Sequence, residues 1–515
     1  MEKNLFGRHE SVFLADTKET NYPKLEQDLH TDLVIIGGGI VGITLAYLMK
    51  HSGQKVVLLE ADRIATGMTP KSTAKLTLQH SLIYDELMHT KSPGKAKQYA
   101  DANQRAIEFV RQTVKEEQID CDLIDMPSYV FTVEEKNINR IKNEVEACKR
   151  LGIDMVYKES LPLNLPVKAA IEWGGASLFH PRKYLLQLAE KFINAGGKIY
   201  ENSPVRLVMP KENMSLETEN GCHIYAQRIV IASHFPMYDG LGFYFSRLNM
   251  KRLYVVGAEV DNDKLPKGSF ISIDNPKYSI RPVYEKRVVL IGGGEHRVGD
   301  DENEYAHFEE LSKYAKKVFD TDKILYHWST QDYVTSDKIP YIGYLNSNLS
   351  HNVYVATGFN KWGMTGGTNA ALVLRDMLLT GRSTYEELFN PKRTGVFSGA
   401  TFAMHNITGI KNYLQGKLRS IPREKFPDKE EAVVTKLDDG NVYGIYQDSE
   451  EVYHIVHITC PHVGANLRWN SAEKSWDCPF HGSRFSMDGE ILEGPSTHPL
   501  NSYKESKNQI HPNLY

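Results

Sequence analysis

The 515-residue sequence predicts an α/β fold, a doubly wound nucleotide-binding sheet with an α+β portion built into it, followed by a small all-β domain. Three observations predict it. The apolar run Asp32-Leu33-Val34-Ile35-Ile36 passes directly into a glycine cluster and then into a helical pattern from Ile43 to Met49. Gly53 stops that helix, and Lys55 to Glu60 is a second buried-type strand, so the chain opens as strand–helix–strand, the start of a parallel sheet. After about residue 427 the pattern changes to short strand-length runs separated by turn residues, as in a small β domain.

The intervening elements follow in order. Helical patterns dominate from about residue 82 to 150. A helix from Pro181 to Ala195 ends at Gly196-Gly197 and leads into a strand. Strand-rich sequence fills about 205 to 295, including Lys286 to Ile291, which is expected to stop at a Gly292-Gly293-Gly294 turn. A strand from Val353 to Ala356 precedes a glycine-rich turn and a helix from about Gly366 to Leu379. The mixed stretch 382 to 430, with Pro391, Pro422 and Pro427, reads as the domain boundary. The expected division is therefore 1–420 and 427–515. Within the first part, about 30–85, 176–235 and 331–385 form the nucleotide-binding portion, and about 86–175 and 236–330 the substrate portion. Segment 394–418 mixes apolar and polar residues at helical spacing and is expected to pack the small domain onto the large one, the alternative being to lie on a membrane surface.

Bulk properties exclude several classes. A net charge of −4 argues against nucleic-acid partners and a polybasic membrane patch. No run of about 18 apolar residues is present, so no transmembrane segment is expected, and the polar N-terminus has no apolar core of signal-peptide length. Five cysteines, odd in number and scattered, do not make a disulfide scaffold and fit a cytoplasmic protein.

The strongest motif is Cys460-Pro461-His462, fifteen residues, then Cys478-Pro479-Phe480-His481. Each loop offers one thiolate and one imidazole. Thiolates suit Fe(III), and replacing two of four by neutral imidazoles raises a cluster's potential. A Cys2His2 zinc site uses the same residue types, but zinc fingers group Cys with Cys and His with His. The flanks Gly464, Gly482-Ser483, Gly494-Pro495 and Pro499-Leu500 complete a pattern that resembles the Rieske family over about residues 427 to 510. The resemblance implies a [2Fe-2S] cluster, with Cys460 and Cys478 on one iron and His462 and His481 on the outer one. Ala465 and Phe480 stand where high-potential members carry a second Cys pair, and Phe485 stands where they carry a tyrosine; Ser483 remains as a donor to sulfur. Fewer hydrogen bonds to sulfur place the expected potential toward the low end of a span of about −150 to +300 mV.

The second motif is Gly37-Gly38-Gly39-Ile40-Val41-Gly42, which fits G-x-G-x-x-G between strand and helix and is followed by Glu60 at the end of the next strand. Gly37 permits the tight turn, Gly39 lets a pyrophosphate approach the backbone, and Gly42 lets helix and sheet pack closely. The helix N-terminus offers free N–H groups and a positive dipole to the phosphates, and Glu60 can accept ribose hydroxyls. FAD and NAD share this fingerprint. Arg63-Ile64-Ala65-Thr66-Gly67 with Ser72-Thr73-Ala74-Lys75, Val353 to Phe359 leading to Trp362-Gly363-Met364-Thr365, and Asp337-x-x-Pro340-x-x-Gly343 together resemble the D-amino-acid oxidase/glycine oxidase superfamily of FAD enzymes, over about residues 30 to 385. The resemblance implies that Gly37, Gly39, Gly42 and Glu60 bind the ADP half of FAD. It places Arg63 by the adenosine or phosphates, Val205 by the adenine, Thr73, Ala74 and Lys75 by the isoalloxazine or pyrophosphate, and Gly363, Met364 and Thr365 facing the flavin ring. Lys75 is read either as a stabiliser of anionic reduced flavin or as a solvated lysine.

The superfamily's substrates are amines or amino acids, oxidised by hydride loss to the flavin. Arg281, in Tyr278-Ser279-Ile280-Arg281-Pro282, is the candidate clamp for a substrate carboxylate, because a guanidinium matches a carboxylate bidentately. His180, His234, His296, His327 and His405 have no sequence partners that mark them, and Cys148 and Cys222 read as ordinary thiols. The expected enzyme is an FAD-dependent oxidoreductase that oxidises a small amine or amino acid and passes electrons through the Rieske cluster to a separate electron-transfer partner. The alternative is a redox sensor or carrier without small-molecule turnover. A Rieske-type oxygenase needs a two-His-one-carboxylate iron site, and no such sequence cluster is present.

Overall fold

The computed structural model describes residues 7–210, 214–298, 303–346, 350–393, 421–423, 425–437 and 439–506. Segment 394–418, expected to join the domains, lies outside them.

The first sheet forms around the strand Leu29–Ile36, whose last four residues are all buried because helices and strands cover it on both faces. It pairs in parallel with Val56–Leu59 on one side and His223–Ile231 on the other, and His223–Ile231 pairs in parallel with Ser350–Thr357. Helix Ile40–Met49 leaves this sheet at the glycine cluster. Nine of its ten residues are buried, which explains why it has no polar face: helices Gly363–Thr380 and Pro181–Asn194 both pack on it. Gly367 makes the first of these approaches possible, since a Cβ there would sit 2.6 Å from Ile40 Cγ2. Pro181 opens its helix at a position where no N–H is needed, and the His180 ring accepts the Lys183 N–H at 3.1 Å.

The substrate portion is a nine-stranded mixed sheet. Its middle strands are Ile324–Thr335, Leu248–Glu259, Val288–Arg297, Ser279–Val283 and Ser269–Ser272, and helix Tyr305–Phe319 packs on one face. Here one expectation is corrected. Gly292-Gly293-Gly294 is not a turn but the continuation of the strand Val288–Arg297, and Gly292 and Gly293 pair with Val255 and Tyr254. The glycines serve packing: a Cβ on Gly293 would lie 2.9 Å from the Lys277 carbonyl oxygen and 3.0 Å from Leu311. The preceding turn is instead at Tyr284–Lys286, closed by Arg287 at a φ of +53°.

The C-terminal domain consists of two four-stranded antiparallel sheets. One is Ala432–Lys436, Val442–Gln447, Val452–His457 and Ser502–Ser506; the other is Arg468–Asn470, Ser475–Asp477, Arg484–Ser486 and Ile491–Glu493. Trp476 and Phe485 fill its core, both fully buried.

The two domains meet over a buried polar seam. Arg252, 1% exposed, donates to Ser329 Oγ at 2.9 Å and Gln331 Oε1 at 3.2 Å in its own domain, and to Asp477 Oδ2 at 3.2 Å in the other. Asp477 also accepts from Arg484 Nε at 3.1 Å and Asn470 Nδ2 at 3.1 Å. Gln331 Nε2 donates to the Gly482 carbonyl at 3.0 Å, Tyr333 Oη to the Gly494 carbonyl at 3.1 Å, and Arg297 Nη2 to the Phe480 carbonyl at 3.1 Å. Removing one partner from a buried ion pair leaves the other charge uncompensated, at a cost of about 3–5 kcal/mol. Arg252→Met should therefore destabilise the protein by that amount in urea unfolding, whereas Lys97→Met, which removes an exposed pair with Asp101, should change stability by less than about 1 kcal/mol.

Candidate active site

The glycine cluster forms a cradle. Gly37 has a φ of +110°, and a Cβ there would lie 2.5 Å from the Ala232 carbonyl oxygen. At Gly42 a Cβ would lie 1.9 Å from the Gly37 carbonyl oxygen, so only glycine lets the helix rise this close to the strand. Gly39 is the N-cap of the helix, and no side chain caps it. Glu60 accepts the Gly38 N–H at 2.6 Å and the Asp62 N–H at 3.1 Å, which fixes its carboxylate at the end of the second strand.

A cavity of about 1710 Å³ runs from this cradle. Gly37, Gly39, Glu60, Val205, Thr73, Ala74, Lys75, Gly363 and Met364 all line it, so most of the residues expected at the flavin share one space. Tyr254, Val255, Gly292 and Gly293 of the nine-stranded sheet line the same cavity. Gly42 lies behind the cradle and acts through packing.

Three expected residues are not brought there. Arg63 points away and pairs with Glu19. Thr365 is buried behind the wall, where its hydroxyl bridges the backbone of Thr77 at 3.3 Å. Arg281 is not a carboxylate clamp in this geometry. Its Nη1 donates to the carbonyls of Thr73, Ala74 and Phe179 at 3.1, 3.0 and 3.2 Å, and its Nε to that of Pro282 at 2.9 Å. Its charge is used to hold the turn at Ala74, where φ is +45°, and so to set the wall segment that ends at Lys75.

Lys75 is buried, and Nζ donates to Ser279 Oγ. Burial, with Arg281 nearby, brings its pKa down to about 7. Sequence reasoning missed His80, which lines the cavity, stacks on Trp362 at 4.6 Å and hydrogen-bonds through Nδ1 to the Tyr99 hydroxyl at 2.7 Å. Burial lowers its pKa to about 3, so the ring is neutral, and Nε2 has no partner among the described residues. No sequence signal marks this histidine, because both of its partners depend on the tertiary fold.

The cluster loops are built alike. In each, the glycine four residues after the cysteine has positive φ and donates its N–H to the cysteine carbonyl, Gly464 to Cys460 at 2.9 Å and Gly482 to Cys478 at 3.0 Å. Each cysteine N–H in turn donates to the residue after that glycine, Ala465 at 2.8 Å and Ser483 at 2.7 Å. The loops converge so that the Nδ1 atoms of His462 and His481 lie 3.2 Å apart, while Cys460 and Cys478 lie buried behind them. Among the described residues no three His, Cys, Asp or Glu side chains meet at one point. A binuclear cluster does not require it, since each iron takes two protein ligands and sulfide fills the rest. The donor set therefore fits a [2Fe-2S] centre. Gly482 also has an external reason to be glycine: a Cβ would lie 2.9 Å from Met250 of the large domain. Phe245 of the large domain packs edge-on against both histidines, at 5.8 and 5.1 Å. The third loop, Gly494 to Pro499, donates its Ser496 N–H to Ser483 Oγ at 3.0 Å and lines the flavin-side cavity.

Comparison with known proteins agrees with this geometry. Residues 32–377 match the FAD dependent oxidoreductase (DAO) family and residues 418–504 the Rieske [2Fe-2S] domain. The chain belongs to the DAO family of FAD-dependent oxidoreductases and carries a Rieske domain. It is 37% identical over 498 residues, 95% of its own length and 97% of the relative's, to YhfW of Bacillus subtilis (strain 168), named as a Rieske 2Fe-2S iron-sulfur protein. It is 22% identical over 401 residues, 74% of its length and 92% of the relative's, to gamma-glutamylputrescine oxidoreductase of Escherichia coli (strain K12). Among solved structures it resembles L-proline dehydrogenase from P. horikoshii, with a TM-score of 0.61, 19% identity and coverage of 71% of this chain and 98% of that one. Glycine oxidase from Geobacillus kaustophilus gives 0.60, 17%, 71% and 99%. These likenesses are of fold. FAD and a [2Fe-2S] cluster are thus the cofactors of this oxidoreductase, and no helix among the described residues is long and apolar enough to cross a membrane.

Three outcomes follow from the site. Gly42→Ala should weaken FAD binding by at least an order of magnitude while the cluster's EPR signal persists, read from the flavin and iron content of the purified protein. Because Lys75 binds its proton less tightly in the folded than in the unfolded chain, its contribution to stability is unfavourable below about pH 7 and recovers as pH rises toward the ordinary lysine value. Lys75→Met should accordingly stabilise the flavin-free protein at pH 6, with the advantage shrinking toward pH 10 in denaturation curves. Ser483→Ala should lower the cluster potential by some tens of millivolts in film voltammetry, since a donor beside the cluster is lost.

Proposed function

We propose that this oxidoreductase oxidises a small amine or amino acid and delivers the electrons through its Rieske centre to a separate one-electron acceptor. The observation that carries the reading is the shared cavity: Lys75, Met364 and Tyr254 on the large domain and Gly494 to Pro499 on the Rieske domain line one continuous space. When bound there, FAD supplies a two-electron sink that can be emptied one electron at a time, and the [2Fe-2S] centre supplies the one-electron relay.

The remaining work belongs to the chain. Tyr254, Val255, Ile271 and Trp362 form the walls that keep water from the reacting carbon. His80 stays neutral at all ordinary pH values and offers Nε2 as a hydrogen-bonding atom without adding charge. Lys75 Nζ holds or releases a proton near neutrality. The substrate loses a C–H hydrogen with its electron pair to the bound FAD and is left as an imine, which water then hydrolyses to a carbonyl compound and ammonia, or an amine where the nitrogen is substituted. The names of the relatives support the substrate class: gamma-glutamylputrescine oxidoreductase, glycine oxidase and L-proline dehydrogenase. A cytoplasmic setting is supported by Cys121, Cys148 and Cys222, which are buried and form no disulfide. A sensor or carrier without turnover predicts instead that no amine reduces the flavin.

Anaerobic rapid mixing of the holoprotein with a panel of amines and amino acids tests the reading. The flavin absorbance should bleach first and the cluster absorbance should follow. Bleaching by dithionite but by no amine would remove the proposal.

A further inference from the structure

The mouth of the cavity is strongly cationic. Arg140 comes from helix Ile138–Arg150, Lys251 from strand Leu248–Glu259, and Lys277 from the turn between strands Ser269–Ser272 and Ser279–Val283. Lys338 follows strand Ile324–Thr335, and Lys361 precedes helix Gly363–Thr380. Five segments far apart in sequence thus each bring one cation to the same cavity.

Two carboxylates partly answer them. Glu295 pairs with Lys361 and, at 3.8 Å, with Lys251, while Glu86 pairs with Lys338. Lys277 has no hydrogen-bond or ion-pair partner among the described residues, and Arg140 Nη1 meets only the uncharged Asn137 Oδ1, at 3.2 Å. Partial desolvation and the nearby Lys361 hold the Lys277 ammonium below its ordinary pKa; Glu295 opposes them, and Lys338 and Arg140 add to the push. Like charges gathered at a cavity mouth cost stability unless a ligand brings the opposite charge. Low-dielectric walls around such a ring also focus its field and raise the local concentration of anions. The clamp expected at Arg281 is occupied by backbone carbonyls, so acid recognition falls to this ring instead.

We propose that the substrate is an amine carrying at least two acid groups, and that Lys277 and Lys361 recognise the acid group remote from the reacting carbon. This rests on the amine-oxidation reading and narrows it. An amine with a single carboxylate, or none, leaves the ring unmatched.

The test uses binding as well as turnover. Glutarate, its monoamide and its diamide are titrated into the holoprotein, and binding is read from the perturbation of the flavin spectrum. Glutarate should bind at least tenfold more tightly than the monoamide, and its affinity should fall as salt rises from about 20 to about 200 mM, where screening shortens the reach of these charges. Lys277→Gln and Lys361→Gln should each erase most of the preference for the diacid and leave diamide binding unchanged. Equal affinity for the three ligands overturns the inference, as does loss of FAD from Lys277→Gln or Lys361→Gln on purification, since the ring would then serve the cofactor. In the amine panel, bleaching by neutral amines as fast as by aminodicarboxylates sinks this inference and leaves the oxidation reading standing. No bleaching by any amine, with glutarate preference intact, sinks the oxidation reading and keeps the anion site.

Discussion

Arg252 lies buried on a strand of the flavin domain and pairs with Asp477 of the other domain, immediately before Cys478. A guanidinium cannot shed its proton on burial, so the pair satisfies both members in one relative placement of the domains. Asp477 is itself gripped from its own side by Arg484, which continues to Glu493 at 3.0 Å. The buried Arg252 is thus met by one end of a charge chain, Asp477–Arg484–Glu493, that the C-terminal domain holds by itself. The neutral contacts agree with this placement: Gln331 holds the carbonyl of Gly482 and Tyr333 that of Gly494, so the second and third cluster loops are positioned by the flavin domain.

Fixed docking has a chemical consequence. With FAD held by the glycine cradle and a cluster held by the Cys/His loops, the third loop would be shared by both environments, so the two cofactors would be kept in one fixed relation without a swinging step. Ser483 and Ser496 connect that loop to the turn behind Cys478, so the cavity wall and the cluster's environment are one hydrogen-bonded unit. Phe245 covers the imidazole edge from the large domain and limits the water that reaches it. Such shielding, with the charges at the seam, adjusts the potential through the outer surroundings of the cluster rather than through its ligands.

What could be read in the sequence is what local chemistry dictates. The glycine cradle and the two Cys/His loops are short, and much of what their glycines do is local, as with Gly42 on Gly37 and Gly464 on Cys460. Long-range partners left no such trace. Arg281 looked available because the carbonyls that consume it lie more than one hundred residues away, at Thr73, Ala74 and Phe179. Arg63 and Thr365 sit beside true cavity residues in sequence but face the other way in space. The Gly292 to Gly294 run resembled a turn, yet it is a strand thinned to let a neighbouring turn and helix approach. Gly482 belongs to both groups: its φ of +80° was legible from the motif, while its clearance from Met250 depends on the other domain.

The electrostatics of the cavity show why no strong base could be found in the sequence. Burial lowers the pKa of two groups that line the cavity: His80 is neutral, and Lys75 holds its proton only weakly. Neither has a carboxylate within the described residues to restore the charged form. Near neutral pH the Lys75 amine can take up a proton when negative charge arrives beside it, which is what reduction of a flavin and binding of an acid both bring. When an anion enters, the Lys75 ammonium gains a partner and its pKa rises, so the wall becomes more cationic as the site fills. An anion bound in the cavity and the Lys75 ammonium thus each favour the other, so the protonation state of the wall and the filling of the site are linked.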